Sequence, residues 1–352
     1  MSNDYKPSVL RERFCKDMRL PIRVFDDEDI FMSRLRLCDP FYKVGGLSAV
    51  QLYMRFKTII AYKYCNADTN MVDEQTYFED YNRTKDAVID TIKASDGYNR
   101  LQEDDMNKYA LQNVFDKEFV EKLLKLQKDI FHQNNSGRKF ISFDIRKANF
   151  SCLKLYDPTI FNADDWETFM SGFTTNRHII DSKYIREVIF GVCNPKRHIV
   201  YEKYVCATAL KKILEMLNAN GFNNPNLVFF SNDEFIFDVT DYDNKDLTEF
   251  RRICDDFLGT FTDVPLRMEY FTLCMLETLE TDNKTVGYLK LNATDSNVIT
   301  ISDIIAIKGV DSMWMPFVLR SLLHEEYQPE DYVFYDHGLE AVYQSVPKIT
   351  MT

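Results

Sequence analysis

Two stretches of sequence decide the fold: FISFDIRKANFS at residues 140–151 and LVFFSNDEFIFDV at residues 227–239. Each contains short apolar runs, which are typical of buried β-strands, and in each an acidic residue lies at a strand end. In the second stretch the polar segment from Ser231 to Glu234 separates two such runs and predicts a β-hairpin with acids at its tip. If the strands are neighbours in one sheet, Asp144, Asp233 and Glu234 converge.

The chain around these strands predicts an α+β fold. A polar stretch at residues 133–137 marks a boundary between a mostly helical N-terminal region and a mixed region. The expected architecture is an antiparallel sheet with packed helices at residues 138–301, preceded by a helical region at 1–137 and followed by a helical region at 302–352. Helices are predicted at residues 47–64, 72–94, 116–132, 201–217, 245–258 and 314–323, and further strands at 267–275, 285–291 and 298–301.

Composition excludes several classes of protein. The chain has 352 residues, of which 45% are hydrophobic, so it is long enough to bury a substantial core. No apolar run reaches the roughly 18–20 residues that a membrane helix needs, and the charged N-terminus does not resemble a signal peptide, so we expect a soluble cytoplasmic protein. The eight cysteines are scattered, which indicates reduced thiols used as small apolar residues.

The charge of the chain limits how it can bind nucleic acid. With 43 basic and 55 acidic side chains, the formal net charge is -12. The overall field therefore repels phosphate, and any nucleic-acid partner must meet a local basic patch. Glycine-rich dinucleotide loops, P-loops and metalloprotease motifs are absent from the sequence, so those functions have no support.

Carboxylates at converging strand ends suit hard divalent cations such as Mg²⁺ or Mn²⁺. Two such ions about 3.5–4 Å apart can support nucleotidyl transfer. We therefore predict Asp144, Asp233 and Glu234 as metal ligands and catalytic residues. The alternative is that acids at hairpin tips are ordinary turn residues.

These segments resemble the palm domain shared by reverse transcriptases and viral RNA polymerases. The first stretch is similar to palm motif A of retroviral reverse transcriptases, Asp-x-x-x-Ala-x-Phe-Ser, at Asp144, Ala148, Phe150 and Ser151. The segment from Lys211 to Phe235 resembles the helix, loop and motif C hairpin of that family, and residues 286–301 resemble its primer-grip hairpin. The resemblance covers about residues 139–301, nearly half the chain, and it implies a palm flanked by fingers-like and thumb-like regions.

The sequence departs from the family in three ways. It has no Leu-Pro-Gln-Gly segment for motif B, whose nearest equivalent is residues 190–197. Ser231 occupies the place of the motif C tyrosine, and Glu234 replaces the second aspartate. Glutamate still coordinates metals, but its longer side chain alters the coordination geometry.

The resemblance also implies a nucleotide site at Arg146, Lys147, Asn149 and Phe150. Reverse transcriptases carry a Tyr or Phe at the position of Asn149, whereas RNA polymerases of this class carry a polar residue. An amide can hydrogen-bond a ribose 2′-hydroxyl, so Asn149 favours ribonucleotides and RNA synthesis or priming. The alternative is that Asn149 caps the following helix.

Basic residues complete the predicted site. By analogy with palm enzymes, Arg146 and Lys147 would contact the triphosphate, while Lys196, Arg197 and Lys290 would contact template or primer phosphates. Ordinary solvent-exposed charge is the alternative for each of them.

The sequence thus predicts a metal-dependent nucleotidyltransferase, or polymerase, whose partners are nucleoside triphosphates and a nucleic-acid template or primer. One rival is a primase or untemplated terminal transferase, which a requirement for template would distinguish. The other is a catalytically inactive palm-like or unrelated binding scaffold, favoured by the missing motif B and by the net negative charge.

Overall fold

A computed structural model describes residues 74–193, 195–280, 283–293, 299–300, 303–310, 314–336, 339–343, 345–346 and 348–352. Its internal contacts divide these residues into two units. The site unit comprises Lys85–Phe173 and Tyr184–Leu273, and it contains both stretches quoted above. The second unit comprises residues 74–84, Thr174–Lys183 and the described residues of Cys274–Thr352.

The sheet of the site unit is built around strand β1, Lys139–Ile145. Strand β2, Leu227–Phe230, and strand β3, Glu234–Asp238, form the predicted hairpin, and strand β4, Leu266–Glu280, follows later in the chain. The strand order is β2, β3, β1, β4, and each neighbouring pair in this order is antiparallel. Strand β1 therefore lies between the hairpin strand β3 and the first half of β4.

Most of the described helices belong to the site unit. Several begin at an acidic or hydroxyl side chain that accepts a hydrogen bond from the first helical turn, as at Asp116, Asp165 and Asp243. The helices up to residue 260 are α1 Glu74–Ala94, α2 Asp96–Glu103, α3 Lys117–Leu123, α4 Ala148–Tyr156, α5 Trp166–Ser171, α6 Arg177–Ile180, α7 Lys183–Val192, α8 Pro195–Ala219 and α9 Asn244–Thr260. Helix α6 and the first residues of α1 and α7 belong to the second unit.

The two faces of β1 differ because successive side chains of a strand point to opposite sides. Ile141, Phe143 and Ile145 join a buried cluster with residues of β3, α8 and α9. The alternate positions Ser142 and Asp144 project to the other face. The polar site residue thus stands at the end of a strand whose opposite face is held in the core.

The second unit contains the rest of the described strands. The C-terminal half of β4 pairs with strand β9, Lys348–Met351, while strand β5, Asn283–Asn292, pairs with strand β6, Ile304–Lys308. Strands β7, Val333–Asp336, and β8, Leu339–Val342, form a separate hairpin, and helix α10 spans Met315–Leu322. With β4 counted in both units, seven strands of the described residues pair into one sheet.

The predicted α+β class is confirmed, and β1, the hairpin, β4, β5 and the predicted helices near α1, α8, α9 and α10 form close to the expected residues. The polymerase-like palm stays a prediction. The helix predicted at residues 116–132 is wrong beyond Leu123, because the main chain there instead pairs locally with the hairpin: the Gln127 N–H donates to the Val228 carbonyl at 3.3 Å. Among the described residues, the C-terminal region at 302–352 contains four strands, β6 to β9, besides its predicted helix.

Three other predictions have different outcomes. Residues 298 and 301 of the strand predicted at 298–301 lie outside the described residues, and the strand described in this part of the chain is β6, which pairs with β5. The helix predicted at residues 47–64 lies outside the described residues. The division into regions 1–137, 138–301 and 302–352 stays a prediction.

Candidate functional site

Asp144 and Glu234 are direct partners across strands β1 and β3. Opposed residues of antiparallel strands project to the same side of a sheet, with Cβ atoms about 4.5–5.5 Å apart. Both side chains are partly exposed, whereas their neighbours Phe143 and Phe235 are buried on the opposite face. The fold therefore brings two of the three predicted carboxylates to one face of the sheet.

Asp233 lies at the tip of the hairpin, one residue before β3. Its carbonyl accepts a hydrogen bond from the Ile145 N–H at 2.8 Å, which fixes the tip against the end of β1. The hydroxyl of Ser231 donates to Asp233 Oδ1 at 3.0 Å and accepts from the Glu234 N–H at 3.0 Å. Ser231 thus orders the turn that carries both acids.

Arg267 also lies at this end of the sheet, beside the three predicted carboxylates. It is the β4 partner of Asp144, and its guanidinium donates to Asp144 Oδ2 at 3.1 Å. The same guanidinium lies 3.2 Å from Glu269 Oε1. Arg267 therefore links two carboxylates, one of them the predicted metal ligand.

Glu202 is a buried carboxyl near Asp233 that the sequence prediction missed. It lies on helix α8, its Oε1 has no hydrogen-bond partner among the described residues, and the side chain is 7% exposed. Burial, followed by the negative charge of Asp233, raises the pKa of Glu202 to about 8. The sequence signal was its helical spacing to the buried Val205 and Cys206, where an apolar residue would be expected.

The cations predicted for the triphosphate follow β1 directly. Arg146 is exposed, and its main chain is held by Pro265 and Ser151, since its N–H donates to the Pro265 carbonyl at 2.9 Å and its carbonyl accepts from the Ser151 hydroxyl at 2.7 Å. Lys147 adopts a left-handed conformation with φ of 49°, and its Nζ contacts both carboxylate oxygens of Glu167 at 2.5 Å. Among the described residues, no ion pair holds the Arg146 side chain, whereas Lys147 is paired with Glu167.

Arg186 adds a buried cation near this pair that the sequence prediction also missed. The residue is 8% exposed, and its Nε has no hydrogen-bond partner among the described residues. Burial lowers the pKa of Arg186, an effect that the nearby charges of Glu187 and Glu167 oppose. The Glu167 carboxylate therefore interacts with cations on two different segments.

Asn149 and Phe150 lie in the first turn of helix α4. The Phe150 N–H donates to Asn149 Oδ1 at 3.0 Å, so the amide makes a local contact in the first turn. The N-cap residue of α4 is Lys147, so Asn149 does not occupy the position that the capping alternative predicts. The Phe150 ring is buried, with its centroid 4.6 Å from that of Phe161 and 6.0 Å from that of Trp166. Phe150 therefore positions α4 from within the core.

The predicted nucleic-acid contacts differ in their surroundings. Lys196 is exposed at the start of α8. Arg197 Nε donates to the Leu101 carbonyl at 2.7 Å, and another nitrogen of its guanidinium donates to the Asp104 carbonyl. Lys290 is buried on β5 in the second unit.

The donor atoms suit a hard divalent cation, because Asp144, Asp233 and Glu234 offer carboxylate oxygens and the unpaired oxygen of Glu202 lies near Asp233. In the described parts of the chain, no three His, Cys, Asp or Glu side chains are already arranged to hold a metal ion. The donor chemistry thus fits a Mg²⁺ or Mn²⁺ site, while assembly of the site requires side-chain movement.

Comparison with known proteins adds no support to the resemblance, which rests on the sequence motifs alone. No model of a known protein family matches the chain, and no curated protein matches it either. Within the described ranges, no helix is long and apolar enough to cross a membrane. The function must therefore be argued from the geometry of this site.

Proposed function

We propose that this chain is a metal-dependent nucleotidyltransferase with a polymerase-like palm, and that it adds ribonucleotides during RNA synthesis or priming. The observation that carries the proposal is the cross-strand pairing of Asp144 with Glu234, with Asp233 beside them at the hairpin tip. This arrangement puts the two motifs, which are distant in sequence, at one end of an antiparallel sheet. It supports the palm architecture that the motifs imply.

In this proposal Asp144, Asp233 and Glu234 hold the divalent cations. A pair of bound cations would lower the pKa of the attacking hydroxyl and neutralise charge on the leaving group. The nucleic-acid 3′-oxygen forms a bond to the α-phosphorus, the bond to pyrophosphate breaks, and the hydroxyl proton passes to solvent. The chain supplies orientation and charge, since phosphoryl transfer needs little covalent help from a protein.

The cations after β1 have distinct roles in this scheme. Arg146 is exposed and contacts the triphosphate, while Lys147 does so only after leaving Glu167. Lys196 is exposed and contacts template or primer phosphates. Arg197 does so only after leaving the carbonyls of Leu101 and Asp104, and Lys290 only after leaving its buried position. Asn149 favours ribonucleotides through its amide, after exchange of its contact with the Phe150 N–H.

Incorporation of labelled ribonucleotides tests the proposal directly. The full chain is incubated with a primed template, with a template alone and with a primer alone. Each reaction is run with Mg²⁺, with Mn²⁺ and with a chelator. Metal-dependent extension is the expected result. Extension without template would instead indicate a terminal transferase, and no product under any condition would contradict the proposal.

A palm-like protein without catalysis is the second candidate. One observation in its favour is that Arg267 donates to Asp144, a predicted metal ligand. The other is that no group of three potential metal ligands is already assembled among the described residues. Failure of the chain to bind Mn²⁺ at millimolar concentration would support this candidate over the enzyme.

A further inference from the structure

The ion pair between Arg267 and Asp144 puts a positively charged side chain against a carboxylate that the proposed metal site needs. Arg267 is the strand partner of Asp144 on β4, and its guanidinium nitrogen lies 3.1 Å from Asp144 Oδ2. A divalent cation held by Asp144 would repel a guanidinium at this distance. The two cations therefore compete for the same carboxylate.

Arg267 also has a second anionic partner. Its other terminal nitrogen lies 3.2 Å from Glu269 Oε1, two residues along the same strand and on the same face of the sheet. The side chain of Glu269 is 13% exposed, against 50% for Arg267. Glu269 is thus a more enclosed anchor that can retain the guanidinium when Asp144 is released.

We propose that Arg267 is a positioning residue that neutralises Asp144 while the site lacks a divalent cation, and that it retains only Glu269 when a cation binds. This inference rests on the proposed function, because it takes Asp144 to be a metal ligand. Arg267 keeps the carboxylates from repelling one another in the metal-free protein and lowers the affinity of the site for metal. Binding of the cation then requires one side-chain displacement in a preformed sheet.

Arg252 offers a matched control in the same unit. It also contacts two carboxylates, Glu249 and Asp256 on α9, and its side chain is 51% exposed. Replacing either arginine by methionine removes one positive charge from a half-exposed double ion pair. Only Arg267 shares a carboxylate with the proposed metal site.

The first measurement is the Mn²⁺ dissociation constant, read from the free-ion electron paramagnetic resonance signal. Arg267→Met should bind Mn²⁺ about three- to fivefold more tightly than the wild type, a range set by the strength of a half-exposed ion pair. Arg252→Met should match the wild type. Circular dichroism checks that each variant is folded, and Arg267→Lys provides a second substitution that keeps the charge.

The second measurement follows the arginine side chains themselves. In protein with ¹⁵N-labelled arginine, the Nε–Hε resonance of Arg267, identified by its loss in Arg267→Lys, should shift during a Mg²⁺ titration. Its midpoint should equal that of metal binding, while the Arg252 resonance should stay in place.

The outcomes separate this inference from the proposed function. If the wild type binds metal but Arg267→Met binds it equally well and the Arg267 resonance does not move, the inference is wrong and the enzyme proposal stands. Equal tightening in Arg252→Met would show a general charge effect and would also overturn it. If neither the wild type nor Arg267→Met binds metal, both proposals fail.

Discussion

Asp144 and Arg267 are strand partners and form an ion pair although they lie 123 positions apart in the sequence. On its other side, Asp144 is the strand partner of Glu234 on β3. Asp144 therefore lies between an acidic residue of the hairpin and a basic residue of β4. The properties of this junction lead to four predictions besides the test of Arg267.

Asp233→Asn should abolish metal-dependent nucleotide incorporation while leaving the protein folded. The amide keeps the shape of the side chain, and the turn contacts made by the Asp233 main chain remain, but the charge that holds a cation is lost. Incorporation assays and thermal unfolding measure the two properties. Asp256→Asn, at an exposed carboxylate of α9, serves as the control. Retained incorporation in Asp233→Asn would remove this residue from the mechanism.

Asn149→Phe should reverse a preference of the wild type for ribonucleotides. The ring would collide with a 2′-hydroxyl, and loss of the amide removes a hydrogen bond, effects that together cost about 1–3 kcal/mol, or roughly ten- to hundredfold in preference. Competition between ribonucleotides and deoxyribonucleotides under the same metal and template gives the ratio.

The structure supplies a check on this sugar test, because Asn149 also accepts from the Phe150 N–H. Asn149→Ala removes that contact without adding a ring. If Asn149 only stabilises the first turn of α4, Asn149→Ala and Asn149→Phe should lose stability similarly, and both should keep the wild-type sugar ratio.

Glu202→Gln should flatten the dependence of stability on pH. The raised pKa of about 8 means that folded Glu202 keeps its proton while the unfolded carboxyl ionises near its ordinary value. The stability contributed by this proton is complete below the unfolded pKa and is lost as pH rises toward 8. Between pH 5 and 8 the wild type should lose at least about 1.4 kcal/mol more than the variant, the free energy of a one-unit shift.

Urea unfolding of the metal-free protein at pH 5, 6, 7 and 8 measures this slope. Glu215→Gln, at an exposed position of the same helix, is the matched control and should behave as the wild type. Equal slopes in the wild type and Glu202→Gln would contradict the assignment of Glu202 as a buried, protonated group.

Phe143→Ala should destabilise the site unit by about 3–5 kcal/mol, because it leaves a cavity beneath the site. The ring is fully buried, with its centroid 5.1 Å from that of Phe235 and 5.7 Å from that of Phe257. Denaturant unfolding gives the free energy, and Leu124→Ala, at a leucine that is 70% exposed, should change it by less than about 0.5 kcal/mol. If Phe143→Ala changed the free energy of unfolding as little as Leu124→Ala, the core would tolerate the cavity.

The sequence by itself determined the local elements of the site unit. Apolar runs set β1 and both strands of the hairpin, and helical spacing set α8 and α9, because these patterns depend on which face a segment buries. It also indicated that Asp144, Asp233 and Glu234 would converge. Where long-range contacts override local preference the prediction was wrong, as at residues 124–132, which pair with the hairpin instead of extending α3.

Only the tertiary structure decided what each charged side chain contacts. Analogy with palm enzymes suggested phosphate binding by Arg197, yet its guanidinium donates to the carbonyls of Leu101 and Asp104. Glu202 became a buried acid, and Arg267 became the counterion of Asp144. Local sequence patterns do not encode these outcomes, because a long side chain meets whichever partner packing brings within a few ångströms, and burial then sets its charge.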